Sequence, residues 1–311
     1  MTPTVRAFRP SDAEAACSVV RAVIPYEVTT PEVLSRQAAN APAAERSRRL
    51  VAESGGRIVG TAKAGLIHDA EEPHQAYAEI GVHPAARGKG AGRALLAAAE
   101  GYLAGLGATT VRIWVRDEEP SRAFAERHGY RGSRTARHQR LDLTGPLPGL
   151  PDPLPGGVRL SSAADFAADP RPMYEADMEA TADEPGDVAV EPMPYEDWLA
   201  GIWRHPSLDH ALSTVATVGG AVAAYTEAYS DGSGRYHSAM TGTMRGFRGR
   251  GLAKLVKTDS LLRARAAGCT EAFTANDADN ADNAPMLAVN AWFGYEPAAT
   301  EIRCLRELPR H

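Results

Sequence analysis

GVHPAARGKGAGRALL (residues 81–96) and GTMRGFRGRGLAKLV (residues 242–256) are the two stretches on which the reading of this chain turns. Each follows a predicted strand, QAYAEIGV (75–82) and RYHSAMTGTM (235–244), and each runs into residues with the apolar spacing of a helix. The turns themselves read Arg87-Gly88-Lys89-Gly90-Ala91-Gly92 and Arg248-Gly249-Arg250-Gly251-Leu252-Ala253. Small residues at a strand-to-helix turn let successive backbone N–H groups converge on one point without side chains in the way. The helix dipole adds partial positive charge there. Arg87, Lys89, Arg93, Arg248, Arg250 and Lys254 reinforce it. The pattern is that of a pyrophosphate cradle. Its spacing is neither that of a nucleotide-triphosphate loop nor that of a dinucleotide-binding turn. One glycine-rich turn is also what a capped loop looks like; the recurrence at a matching place gives the reading its weight.

Working outward, both halves repeat one order of elements. A short strand (VRAF, VRLS) is followed by helical segments, then by two strands separated by Gly55-Gly56 or Gly219-Gly220. The strand, turn and helix quoted above come next, then a buried strand (TTVRIWV, EAFTAN), a helix ending at His128-Gly129-Tyr130 or Phe293-Gly294-Tyr295, and a closing extended segment. Residues 144–157, TGPLPGLPDPLPGG, are too rich in proline and glycine to continue a helix or a sheet interior and read as a linker. The expected division is therefore 1–143, linker 144–157 and 158–311.

The 311 residues suffice for two domains, and 44% hydrophobic with 23% charged residues is ordinary for globular chains. No apolar run reaches the ~20 residues of a membrane span, and no signal-peptide pattern opens the chain. The expectation is a cytoplasmic protein that does not bind membranes, a monomer or homodimer. A net charge of −5 argues against nucleic acid as a partner. The cysteines Cys17, Cys269 and Cys304 are scattered, and no metal-ligand spacing is present. Between Asp165 and Asp197 acidic residues dominate, with Arg171 the sole cation, which suggests a surface for a cationic acceptor.

The paired loops, Val82-His83-Pro84 before the first of them, and the two helices ending in Gly-Tyr resemble the GCN5-related N-acetyltransferase superfamily over nearly the whole chain. The layout is similar to actinobacterial tandem acetyltransferases, including mycothiol-synthase-like proteins. The resemblance implies an α/β fold of two tandem domains, each a mixed, mostly antiparallel sheet with a splayed central strand pair flanked by helices. It implies acetyl-CoA or another acyl-CoA as co-substrate, no metal, and acetyl transfer to an amine of a small molecule or peptide. A non-catalytic acyl-CoA sensor is the alternative. The residues that would hold the carrier are Val82, Arg87, Gly88, Lys89, Gly90, Ala91, Gly92 and Arg93 in the first half. In the second they are Thr243, Arg248, Gly249, Arg250, Gly251, Leu252, Ala253 and Asn283. Many members supply a tyrosine acid seven residues after an asparagine. Here those positions are Glu118 and Ala125, and Asn283 and Asn290, so neither half has the tyrosine. Glu79, Glu227 and His237 are the candidate bases. The second half, with the fuller asparagine pattern, is expected to carry the reaction. Met286 and Trp292 read as core.

Overall fold

The computed structural model describes residues 2–67, 74–183, 193–277 and 284–309. In chain order the first half contains β1 (Thr4–Ala7), α1 (Ala13–Val23), α2 (Pro31–Ala39), β2 (Arg48–Ser54), β3 (Arg57–Leu66) and β4 (Gln75–Val82). It continues with α3 (Ala91–Gly105), β5 (Thr110–Arg116), α4 (Glu119–Arg127) and β6 (Arg131–Asp142). The second half repeats this with β7 (Val158–Ser162), α5 (Arg171–Ala182), α6 (Tyr195–Trp198), β8 (Thr214–Val218), β9 (Ala221–Ser230) and β10 (Arg235–Thr243). Then follow α7 (Leu252–Ala266), β11 (Glu271–Asp277), α8 (Ala284–Phe293) and β12 (Glu296–Glu307). No described helix is long and apolar enough to cross a membrane.

Local chemistry accounts for the boundaries. Thr30 caps α2 by accepting the Val33 N–H at 3.2 Å, with Pro31 in the first helical position. Both Gly55 and Gly56 have positive φ, as do Gly219 and Gly220, which gives each hairpin a two-residue turn matched to strand twist.

Two compact units result, one of residues 1–137 with 299–311, the other of residues 138–298. They do not coincide with the expected halves. In the first unit the strand order is β1-β2-β3-β4-β5-β12. There β12 runs antiparallel to β5 from Glu301↔Arg116 to Glu307↔Thr110. Cys304 and Leu308 thereby enter the core of Ala64, Ala76, Leu96 and Leu103. The second unit has the order β6-β11-β10-β9-β8-β7. Its core takes in Leu141 and Leu143 beside Tyr236, Leu261, Ala272 and Phe293. Each unit is closed by the last strand of the other half of the sequence, because that strand's apolar residues are buried there. The linker is also not free: Leu147, Leu150 and Leu154 pack on the core of the second unit.

Within each unit the sheet is mixed, with antiparallel neighbours everywhere in the sequential strands except at one central pair. β4 and β5 are parallel and pair only at Gln75↔Thr110, Ala76↔Val111 and Tyr77↔Arg112. β10 and β11 pair only at Arg235↔Glu271, Tyr236↔Ala272 and His237↔Phe273. Beyond those residues the two strands part, which leaves five residues of β4 (Ala78–Val82) without a partner on that side. β10 has in addition a bulge against β9 between Ser238 and Thr241.

Candidate functional site

Each splayed pair leads into its glycine turn. Gly88 and Gly90 have φ of 75° and 88°, and Gly249 and Gly251 have 76° and 73°. These are left-handed conformations that side chains disfavour. A Cβ placed on any of the four would meet nothing within 4 Å. The glycines therefore serve the backbone path and clear the space in front of it. Gly90 and Gly251 are the residues preceding α3 and α7. The first helical bonds are Ala94 N–H to Gly90 O and Leu255 N–H to Gly251 O. Among the described residues, the N–H groups of Gly88 to Arg93 and of Gly249 to Lys254 have no protein acceptor. Two helix N-termini thus present unpaired donors in the same geometry.

The flanking arginines repeat as well. Arg87 Nε donates to the Val82 carbonyl at 3.3 Å, and Arg248 Nε to the Thr243 carbonyl at 3.1 Å. The loops differ in their carboxylates. Arg245 binds Asp183 at 2.6 Å and 2.8 Å, Arg248 also reaches Asp183, and the Arg245 N–H donates to Glu179 at 2.6 Å. The two guanidiniums hold the Asp183 carboxyl down at about 2. Part of the acidic run expected to draw a cationic acceptor is thus spent on the loop. In the first unit Lys89 instead borders a cavity of about 640 Å³, with Arg57 and His83 also on its wall.

Val82, Arg87, Gly88, Lys89, Gly90, Ala91, Gly92 and Arg93 come together at the first turn, and Thr243, Arg248, Gly249, Arg250, Gly251, Leu252 and Ala253 at the second. Ala91 and Leu252 are buried, so these two can offer only main-chain atoms to a ligand. Asn283 lies outside the described residues.

The three candidate bases sit in different settings. Glu79 is exposed on β4, in register with Lys63 of β3. Glu227 is buried on β9. Burial, then the charge of Asp177, pushes its carboxyl well above the usual range. Asp177, on α5, accepts from Tyr225 Oη at 2.6 Å and from Trp198 Nε1 at 2.7 Å. His237 lies 6.5 Å from the ring of Tyr229, which is itself stacked on His205 at 5.0 Å. Burial, with His138 and Lys257 adding to it, lowers the His237 imidazole to about 4. It is therefore neutral at physiological pH and a weak proton acceptor.

Sequence reasoning did not find Asp177 or Lys257. Lys257 is 1% exposed, and its ammonium donates to Asn290 Oδ1 at 2.6 Å. Counting six residues on from Gly90 and from Gly251 pairs Lys257 with Leu96, a core residue of the first unit. A lysine standing where the other copy has a buried leucine was the available signal. Trp292 is not core: it is 47% exposed, with Lys254 Nζ 4.7 Å above its ring. No group of three His, Cys, Asp or Glu residues able to hold a metal occurs among the described residues.

The family model described as Acetyltransferase (GNAT) family matches residues 21–130. A mycothiol acetyltransferase of Clavibacter michiganensis subsp. michiganensis is 30% identical over 256 residues, which are 81% of this chain and 77% of that protein. Among solved structures, a tandem GNAT protein from the clavulanic acid biosynthesis pathway aligns with a TM-score of 0.72 at 24% identity, over 98% of both chains. A GCN5-related N-acetyltransferase from Sphaerobacter thermophilus aligns with a TM-score of 0.69 at 22% identity, over 98% of this chain and 95% of that one.

Proposed function

Because the chain belongs to the acetyltransferase (GNAT) family and is an acetyl-CoA-dependent N-acetyltransferase, we propose that its second unit performs the transfer, to a primary amine of a small molecule, with Glu227 as the base. The observation that carries this is the contrast between the candidate bases. Glu227 is buried, with Asp177 hydrogen-bonded close by on the same side of the sheet as Tyr225. Glu79 of the first unit stands in solvent. A carboxylate whose affinity for protons is raised above the usual range is the better acceptor for an ammonium proton.

In this reading the diphosphate of acetyl-CoA lies on the unpaired N–H groups after Gly249, and pantetheine enters the opening between β10 and β11. The neutral amine attacks the thioester carbon; the C–N bond forms, the proton that nitrogen then sheds passes to the Glu227 carboxylate, the C–S bond breaks, and the electron pair leaves with sulfur. Main-chain N–H groups of the bulged stretch from Ser238 to Thr241 are the candidates to receive the oxyanion. One such donor is typically worth ~3 kcal/mol of barrier. The small-molecule amine is supported by the relative named for mycothiol acetylation. Nothing favours a non-catalytic sensor.

Turnover in the first unit with Glu79 is the second reading. It is favoured by the family match at 21–130 and by a loop whose Arg87 is not tied to a carboxylate. Gly90→Glu and Gly251→Glu, each adding bulk and negative charge to one cradle, separate the two. Formation of CoA from acetyl-CoA should survive Gly90→Glu and fall by about 100-fold or more in Gly251→Glu. The reverse result would move the reaction to the first unit.

A further inference from the structure

The place where the family's tyrosine would stand in the second unit is filled by Asn290, which is fully buried. It belongs to an ordered set of polar groups. Asn290 Oδ1 accepts from Lys257 Nζ at 2.6 Å; Asn290 Nδ2 donates to Asn276 Oδ1 at 2.8 Å and to Gln139 Oε1 at 3.0 Å. The direction of every bond follows from one charge. An ammonium only donates, so the atom of Asn290 facing it must be the oxygen. The Asn290 amide nitrogen must then find acceptors, so Asn276 and Gln139 turn their oxygens toward it. Their own amide N–H groups are left as the outer donors of the set, and neither has an acceptor among the described residues.

The site also holds the buried ammonium of Lys257. From α7 comes Lys257, from β10 His237 and Tyr236, from β6 His138, and after α8 Tyr295, over whose ring Lys257 Nζ lies at 5.0 Å. No described carboxylate bonds to Lys257. Asn276 is on β11 three residues beyond Phe273, the last to pair with β10, and so on the parted edge of the opening. In the first unit the corresponding pair is Leu96 and Ala125, both buried and apolar. A buried cation without a counter-ion costs stability, and the first unit shows that the fold does not need it.

We propose that Lys257 is a positioning residue for the departing thiolate: through Asn290 it fixes the amides of Asn276 and Gln139 as donors toward the sulfur, and its charge offsets the one that sulfur acquires. This rests on the reading of the second unit as the catalytic one. No proton need pass from Lys257; the amine proton goes to Glu227, and sulfur leaves as the anion. Burial lowers the Lys257 ammonium to about 7, so it is charged below that pH and neutral above it. The support it gives fades as pH rises through neutrality. His237 at about 4 and Tyr236 at about 12 do not change charge there, and Tyr295 is held well above its ordinary range.

The experiment uses the full chain carrying Gly90→Glu, so that only the second cradle binds, with CoA as the probe. Calorimetry measures CoA affinity, and ultraviolet absorbance of the thiolate follows the bound thiol against pH. With Lys257 present, bound CoA should show about tenfold more thiolate than free CoA between about pH 6 and about pH 7. In Lys257→Leu the excess should disappear while CoA affinity stays within about twofold. The double variant Lys257→Leu with Asn290→Ala installs the first unit's apolar pair and guards against a folding failure in the single change. An excess of thiolate that persists in both variants overturns the proposal. Absence of CoA binding to the Gly90→Glu protein overturns both the proposal and the reading beneath it. Binding with a normal thiol overturns the proposal alone.

Discussion

Glu227 carries two consequences that can be measured separately. Its carboxyl binds its proton more tightly in the folded chain than in the unfolded one. Stability contributed by the neutral form is therefore lost as pH climbs from the ordinary carboxylate range toward the raised value. Glu227→Gln removes that loss, so its melting temperature should gain on the parent's as pH rises, by about 2–4 °C at alkaline pH. The same change should lower kcat by about 10²–10⁴ with KM for acetyl-CoA little altered, because the base acts on the amine and not on the carrier. A constant difference in melting temperature across pH would show that the carboxyl is not perturbed. Glu227 was legible in the alternation of AVAAYTEAY, which allows a strand residue to face a cleft. Its partner was not: Asp177 lies 50 positions away on a helix whose acidic residues look solvated in one dimension. Lys257 taken alone was hidden too, since a lone lysine in a helix reads as surface, and only its pairing with Leu96 of the first copy marks it.

At the level of elements, the strand, glycine turn and helix were readable because left-handed φ leaves a mark in the sequence: glycine at 88, 90, 249 and 251. The link from α5 to the second turn left none. Asp183 closes on Arg245 and Arg248 across more than sixty residues of chain, and its low pKa keeps it ionised through the working range. It competes with a diphosphate for the same guanidiniums. Asp183→Asn should therefore tighten acetyl-CoA binding at the second cradle by about threefold at low salt, with the gain shrinking as salt is raised. Calorimetry in the Gly90→Glu background measures it. Weaker binding in Asp183→Asn would mean that the pair orders the loop for its ligand. The α8 helix shows the opposite limit of pattern reading: APMLAVNAWF is apolar nearly all round, so nothing in its spacing distinguished exposed Trp292 from buried Phe293.

At the level of the whole chain, the duplication could be read but the destination of the closing strands could not. A terminal strand with alternating residues specifies a face to bury and no particular neighbour. The linker at 144–157 suggested that each half closes itself, whereas β12 completes the first unit along all of β5. Removal of residues 299–311 tests this directly. It takes Cys304 and Leu308 out of the first unit's core and strips the antiparallel partner from Thr110–Arg116. Burying one such leucine alone is worth ~2 kcal/mol, and the lost ladder adds to that against a domain stability of about 5–15 kcal/mol. Hydrogen exchange in the shortened chain should rise sharply over β5 and β4, while β8 and β9, whose unit keeps all of its strands, should retain their protection. If β5 instead stayed protected, β12 would be dispensable to the first unit, and the first half would fold as the linker implies. If both regions lost protection together, the two units would unfold as one cooperative body, and a change at one closing strand would be felt at the other unit's cradle.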